Sequence, residues 1–218
     1  MKKFNYSDVN IIKKKSGYSG FFNINQYTLQ HGKFDGGQTR KLTRECFERG
    51  HAVGVLAYDP WKDCIILLEQ FRIGAYVYED NLEHQYHVSR NSSLSPWLLE
   101  IIAGIVEPGE SPTDVAHREA EEEAGLRLLA LESIGDFYSS PGGTSESTQL
   151  YCACVKSDGV GGIHGLESEG EDIRVFVVSF NDAVQLLKDG CLNNASAMIA
   201  MQWLVLNKSE IQAKWQKS

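Results

Sequence analysis

The sequence predicts an α/β protein: a mixed β-sheet covered by helices on both faces, preceded by a small antiparallel β-domain. Two observations favour this class. From His51 onward, apolar strands alternate with helical segments, which is typical of a layered α/β domain. Residues 1–50 carry strand patterns with few large apolar side chains, too few for an independent core. We therefore expect a boundary between residues 1–50 and 51–218, with the first segment packed on the main domain or on a second subunit.

Length and charge limit the class of protein further. The chain has 218 residues, of which 42% are apolar, enough for a substantial core. No leader pattern or run of about 18 apolar residues occurs, which predicts a soluble cytoplasmic protein. The net charge of −8 opposes binding to nucleic acid and to anionic membranes. An anionic substrate would need metal ions and arginines at its site.

The β-domain is predicted to contain three strands, Val9–Ile12, Gly17–Tyr27 and Gln38–Phe47, with glycines marking the turns. Six strands follow in the main domain: His51–Tyr58, Cys64–Phe71, Trp97–Val106, Leu128–Phe137, Gln149–Lys156 and Ile173–Ser179.

Two helices are predicted near the end of the chain. Ser179 and Asp182 form a capping pattern for a helix that closes at Gly190. The last helix begins near Asn194, and its polar tail from Lys208 is expected to fray.

The stretch Glu79–Pro96 shows no period and predicts a long polar surface loop. His84 and His87 within it suggest an adventitious metal site, but solvated loop histidines are the favoured interpretation. The five cysteines are predicted to be reduced thiols in or near the core: Cys46, Cys64, Cys152, Cys154 and Cys191.

One helix is marked at both ends by its own sequence. Ser111 is a good N-cap, Pro112 suits the first helical position, and Asp114 completes a capping box. Gly125 supplies the left-handed residue after the last turn. These signals predict a helix over Pro112–Ala124.

The same helix carries more acids than a solvated face requires. At 100° per residue, Glu119, Glu122 and Glu123 share a narrow sector beside a face of three alanines, which can approach a sheet closely. The carboxylates would line a groove and repel one another. A hard cation such as Mg²⁺ would remove that repulsion. The alternative is a solvated glutamate-rich surface.

This stretch resembles the signature of the Nudix hydrolases at every specified position. The matching residues are Gly104, Glu110, Arg118, Glu119, Ala120, Glu122, Glu123, Gly125 and Leu126. Further runs between Tyr18 and Trp203 resemble the bacterial ADP-ribose pyrophosphatases of that family, and Pro141 follows Gly125 by sixteen positions, a spacing typical of that branch. The long stretch Glu79–Pro96 departs from the family.

The resemblance implies a fold, an assembly and a reaction. The fold would be the Nudix α/β/α sandwich, with the β-domain exchanged across a homodimer. The reaction would be hydrolysis of ADP-ribose to AMP and ribose 5-phosphate with Mg²⁺, or with Mn²⁺ as a substitute. Carboxylates that gather metal ions suit pyrophosphate cleavage, because several oxygens must be neutralised.

The resemblance also implies roles for single residues. The metal ligands would be the Ala103 carbonyl, Glu119, Glu123 and Glu171. Glu122 would support this cluster, and Arg118 would hold the carboxylates in position. Glu169, in the Gly-rich acidic stretch Gly159–Glu171, would be the general base on a mobile lid. Without the resemblance, the acids of that stretch would be ordinary loop residues.

The implied substrate contacts are Phe21, Arg44, Glu45, Arg72, Ser140 and Pro141. Arg72 would bind phosphate, and the Arg44–Glu45 pair would bind adenine. Phe21 would stack on adenine across the dimer, and the turn at Ser140–Pro141 would shape the ribose end. Arg72 as a surface ion pair and Phe21 as a core residue are the alternatives.

Other functions stay open at this stage. The substrate could be another nucleoside-diphosphate sugar, of the ADP-glucose or GDP-mannose type. A Nudix domain that only senses its ligand, or an acidic helix without a site, are the remaining interpretations.

Overall fold

The computed structural model describes residues 3–86 and 95–217. The chain divides into two compact units: Met1–His51 with Tyr138–Ser147, and Ala52–Phe137 with Thr148–Ser218. The predicted boundary at residue 50 and the exchange of the first segment between subunits stay predictions.

The first unit contains a three-stranded antiparallel sheet of β1 (Val9–Ser19), β2 (Asn23–His31) and β3 (Leu42–Glu48). The predicted strand over Gly17–Tyr27 is wrong as one element, because residues 20–22 form a turn between β1 and β2. The N–H of Gly20 closes this turn on the carbonyl of Phe22 at 3.0 Å. The alternation of apolar and polar residues runs only from Phe22 to Tyr27, so no periodic pattern supported joining the residues before Phe22 to this strand.

The second sheet is mixed, as predicted. It has eight strands in the described part of the chain rather than the six predicted, because the run Trp97–Val106 forms two strands and the short strand Gly162–His164 was not predicted. Its strands are β4 (His51–Asp59), β5 (Cys64–Phe71), β6 (Trp97–Glu100), β7 (Ile102–Ile105), β8 (Ala130–Tyr138), β9 (Ser147–Cys154), β10 (Gly162–His164) and β11 (Ile173–Ser179). They follow the order β10-β11-β5-β4-β9-β8, while β6 pairs with β5 and β7 pairs with β4.

A fork in this sheet positions the acidic groups described below. Strands β4 and β5 pair only over three residues beside their turn, and then separate. Strand β6 pairs with the separated half of β5, and β7 with that of β4. The predicted single strand Trp97–Val106 is therefore wrong: it breaks at Ile101, whose side chain is buried. The unbroken apolar run gave no signal for this change of partner.

Helices pack on both faces of the sheet, as predicted. Alternate residues of β4 and β5 point to opposite faces. Val53, Val55 and Ala57 join a core with the alanine face of α2 (Pro112–Ala124). Leu56 and Tyr58 join a second core with α3 (Phe180–Lys188) and α4 (Ala195–Trp215).

The predicted helix ends are confirmed where capping residues marked them. The Ser111 hydroxyl accepts the Asp114 N–H at 3.2 Å, and Gly125 ends α2 in the left-handed region with φ 60°. Asn194 caps α4 in the same way as Ser111 caps α2. The expected fraying from Lys208 is wrong, because Ile211 and Trp215 are buried against the second core and hold the last turns in place.

Helix α1 (Ile73–Tyr86) replaces the first half of the predicted polar loop. The loop prediction is wrong over residues 79–86, because periodicity detects helices that bury one apolar face, and the side chains of Ile73 and Tyr76 in α1 are exposed. His84 falls within α1, whereas His87 lies outside the described residues.

The segment that contains α1 leaves and rejoins the sheet at one place. The Arg72 N–H donates to the Pro96 carbonyl at 2.8 Å. The rings of Phe71 and Trp97, on β5 and β6, lie 5.4 Å apart in an edge-on contact.

Two further sequence expectations have clear outcomes. Among the described residues, no helix is both long and apolar enough to cross a membrane. The five cysteines are free thiols, but the expected core position is wrong for Cys191, which is exposed in the turn after α3.

Candidate active site

Glu119 lies against the backbone of the strand that precedes its helix. A Cβ atom at Gly104 in β7 would stand 1.7 Å from Glu119 Oε1, so only glycine leaves room for the carboxylate. The Glu119 side chain is 13% exposed. Burial raises its pKa to about 7; Arg118 opposes this shift, and the charges of Glu122 and Glu171 add to it.

Glu123 is the most deeply buried acid of the same helix, at 2% exposure. Its Oε2 accepts the backbone N–H of Ala103 at 2.9 Å, which ties α2 to β7. Burial raises the pKa of Glu123 to about 8, the Ala103 N–H lowers it, and the charge of Glu119 raises it again. Two neighbouring carboxylates therefore resist ionisation near neutral pH.

Arg118 connects three of the acids in this stretch. Its Nε and Nη2 bind the two oxygens of Glu110 at 3.0 and 3.2 Å. Its Nη1 donates to Glu119 at 2.7 Å and to Glu122 at 3.0 Å. Hydrogen bonds to Glu110 and the nearby carboxylates raise the pKa of Arg118 well above its usual range, so the guanidinium stays charged. The positioning role that the resemblance implies for Arg118 stays a prediction.

Arg72 stands at the fork, directly after β5. Its Nε and Nη2 donate to one oxygen of Glu100 at 2.9 and 2.7 Å, and Gln70 donates to the same oxygen at 3.2 Å. Burial opposes the charge of Arg72, but Glu100, followed by Glu123 and Glu171, raises its pKa above the ordinary value. The guanidinium of Arg72 is therefore stabilised by the negative charges of Glu100, Glu123 and Glu171.

The stretch Gly159–Glu171 contains more regular structure than the predicted lid. It holds the short strand β10 and a single 3₁₀ turn, Glu167–Glu169. The Leu166 N–H donates to Glu171 Oε2 at 3.0 Å, and the Leu166 carbonyl accepts the N–H groups of Glu169 and Glu171. Glu169 is exposed within this closed loop.

The predicted adenine and ribose contacts belong to the first unit. Arg44, Glu45 and Pro141 line a hollow of about 480 Å³ within it. The Ser140 carbonyl accepts the N–H groups of Gly143 and Thr144 and so forms the adjacent turn. Phe21, in the turn after β1, is 87% exposed, and its ring touches Phe22 edge-on at 4.7 Å. Its predicted alternative as a core residue does not fit this exposure.

The acids of α2 suit a hard divalent cation chemically. Glu119 and Glu123 have raised pKa values because burial and mutual repulsion disfavour their charges, and a cation would remove that penalty. In the described part of the chain, no three His, Cys, Asp or Glu side chains already stand in ligating positions. Arg118 and the Ala103 N–H occupy carboxylate oxygens instead.

Sequence reasoning missed the role of Glu100 beside Arg72. The signal was available, since one acid interrupts the apolar run Trp97–Ile102, and a buried carboxylate requires a partner. Glu110 was named only as part of the signature, and the structure shows it as the bidentate partner of Arg118.

Comparison with known proteins gives a consistent assignment. The family model for the NUDIX domain matches residues 49–199. The chain is 42% identical over 212 residues to the ADP-ribose pyrophosphatase of Escherichia coli strain K12, which covers 97% of this chain and 95% of that protein. It is 43% identical over 218 residues to the ADP-ribose pyrophosphatase of Haemophilus influenzae, covering 100% and 95%.

More distant relatives differ in their named substrate. The GDP-mannose pyrophosphatase of Pectobacterium atrosepticum is 29% identical over 204 residues, covering 92% of this chain and 95% of that protein. A crystal structure described as an ADP compounds hydrolase superposes with a TM-score of 0.63 at 20% identity, covering 94% and 97% of the two chains. The latter supports the fold.

Proposed function

We propose that this chain, which belongs to the NUDIX domain family, hydrolyses the pyrophosphate of ADP-ribose to AMP and ribose 5-phosphate with Mg²⁺. The observation that carries this proposal is the 42–43% identity, over nearly the whole chain, to proteins named ADP-ribose pyrophosphatase. In the reaction, water attacks one phosphorus, one bridging P–O bond breaks, and each product keeps one phosphate.

The metal site proposed for this reaction consists of Glu119, Glu123, Glu171 and the Ala103 carbonyl. These residues would hold Mg²⁺, which would supply positive charge to the pyrophosphate oxygens and lower the pKa of water. The chain provides an acidic cluster whose repulsion favours binding of the cation. Arg118, which holds Glu119 and Glu122 by hydrogen bonds, keeps both carboxylates on one side of α2.

Glu169 is proposed to accept the proton of the attacking water. It is exposed on the single turn between β10 and β11, and backbone bonds to Leu166 define its position. Its exposure gives water direct access to the carboxylate, as a general base requires.

Arg72 is proposed to bind a phosphate oxygen. Glu100 engages Nε and Nη2 of the guanidinium, so the phosphate contact falls to Nη1. The Glu100 pair also fixes the plane of the guanidinium, which reduces the entropy lost when the substrate binds.

Specificity is proposed to reside in the first unit. Arg44 and Glu45, which line the hollow with Pro141, offer a donor and an acceptor suited to adenine. In the proposed homodimer, the exposed ring of Phe21 would stack on the base. A second candidate substrate class is GDP-mannose, because the relatives at 29% identity carry that name.

The decisive experiment is product analysis in ¹⁸O-water with Mg²⁺. Label in AMP or in ribose 5-phosphate identifies the phosphorus attacked, and kcat/KM for ADP-ribose, ADP-glucose and GDP-mannose ranks the substrates. We expect ADP-ribose to be preferred by at least about 10²-fold over GDP-mannose, since mismatched polar contacts are costly. A higher kcat/KM for GDP-mannose would favour the second candidate, and absence of turnover of all three would reject the enzyme.

The role of Glu169 has its own matched test. Glu169→Gln should lower kcat by about 10²-fold with little change in KM, whereas Glu167→Gln, on the same turn, should stay near wild type. Near-full kcat in Glu169→Gln would reject the assignment.

A further inference from the structure

His164 connects the loop after β10 to helix α2. It is the last residue of β10, and its imidazole lies over Gly125, where a Cβ atom would be 3.1 Å from Cε1 and 3.6 Å from Nδ1 of the ring. Glycine is favoured at this position for two reasons: its left-handed backbone, and the tight contact that a Cβ atom would make with the ring.

The second contact of His164 holds its own strand. The ring Nε2 lies 3.1 Å from the Gly161 carbonyl, which only accepts, so Nε2 carries the proton in this contact. The ring thus bridges the start of β10 and the C-terminal end of α2. Strand β10 pairs over only three residues with β11, a short ladder that gains from this extra support.

Only a short stretch separates His164 from Glu169. Gly165 follows with φ 102°, and a Cβ there would stand 2.7 Å from the Cβ of Glu171, so the chain turns closely around that residue. Leu166 then makes three hydrogen bonds that close the loop around Glu169. A displaced His164 would shift the start of this loop and the carboxylate it carries.

We propose that His164 is a positioning residue: through its packing on Gly125 and its bond to Gly161, it fixes the loop that presents Glu169. This inference rests on the proposed function for the role of Glu169, but the anchoring of the loop is independent of any substrate. The anchored loop also fixes Glu169 relative to the acids of α2, because the His164 side chain joins this loop to that helix.

The first test measures the loop without substrate. Hydrogen exchange of the Glu169 and Glu171 amides, which donate to the Leu166 carbonyl, should quicken by at least about tenfold in His164→Ala, while exchange within α2 stays as in wild type. Ile163→Ala is the matched control, since this neighbour in β10 is 67% exposed and lies on the opposite face of the strand. Unchanged exchange in His164→Ala would overturn the inference.

The second test separates positioning from packing. With ADP-ribose and Mg²⁺, we expect kcat of His164→Ala to fall about tenfold with KM within about twofold of wild type. His164→Gln keeps an N–H donor for Gly161 and should recover most of kcat. A loss equal to that of alanine in the glutamine variant would contradict the role of this bond.

A double variant shows whether His164 acts through Glu169. If it does, His164→Ala with Glu169→Gln should be no slower than Glu169→Gln alone, because the effects of a coupled pair do not multiply. Losses that multiply would reject the coupling. If the wild type hydrolyses no ADP-ribose, the proposed function fails, and the hydrogen-exchange result still decides whether the loop is anchored.

Discussion

Ionisation of the two buried glutamates should destabilise the metal-free protein as the pH rises. Burial raises the pKa of Glu119 to about 7 and that of Glu123 to about 8, from a value near 4.5. An acid with a raised pKa leaves stability intact below its unfolded pKa and reduces it as the pH climbs through the folded pKa. At about 1.36 kcal/mol for each unit of pKa, Glu119 alone corresponds to about 3 kcal/mol. Glu123 adds a loss in the same direction.

Urea unfolding of chelator-treated protein measures this effect. At pH 8.5, Glu119→Gln should be more stable than wild type by about 3 kcal/mol, because the amide never acquires the unfavourable charge. At pH 5 the difference should be under about 1 kcal/mol, since the acid is still protonated in the folded protein and pH 5 lies only slightly above its unfolded pKa. Mg²⁺ should restore stability to the wild type at pH 8.5 by binding only the folded chain.

Glu121→Gln is the control for this experiment, because it makes the same charge change on the exposed side of α2. Its stability should follow that of wild type at both pH values. The reasoning is refuted if Glu119→Gln follows wild type as well, or if its advantage grows toward acid pH.

Three further predictions follow from the geometry. Gly104→Ala should lower kcat at least about 10²-fold, because its Cβ would stand 1.7 Å from Glu119 Oε1 and force the carboxylate out of place. An unchanged kcat in a variant with an intact circular dichroism spectrum would contradict this prediction. Glu100→Gln should raise KM for ADP-ribose about tenfold by loosening Arg72, whereas a change confined to kcat would argue against phosphate binding by that arginine. Trp215→Ala should lower the free energy of unfolding in urea by about 3–5 kcal/mol, because the ring is buried in the second core. A loss below about 1 kcal/mol would show that the end of α4 contributes little to stability.

Local signals in the sequence predicted α2 well. Its ends depend on the Ser111–Asp114 capping box and on the left-handed Gly125, which act within one or two turns and need no distant partner. The acids of α2 were predictable for the same reason, because helical spacing alone places them on one side.

Features that depend on distant partners were not predictable in this way. The break at Ile101 arises because β6 and β7 pair with different strands. The apolar sequence of this run does not indicate with which strand each half will pair. Helix α1 lacks a buried apolar face in the part described, so its sequence shows little helical periodicity of apolar residues. The contact of His164 with Gly125 joins residues 39 positions apart, each with an ordinary local explanation.

The two ends of the segment that contains α1 contact each other, which bears on how far the length of that segment can change. The hydrogen bond from Arg72 to Pro96 and the contact of the Phe71 and Trp97 rings join the two ends of the segment beside the fork. Arg72 and Glu100 therefore keep their relation across β5 and β6 whatever the length of chain between them. Doubling such a segment costs only about 0.6 kcal/mol in closure entropy. We therefore expect changes in the length of this segment to leave the Arg72–Glu100 ion pair intact.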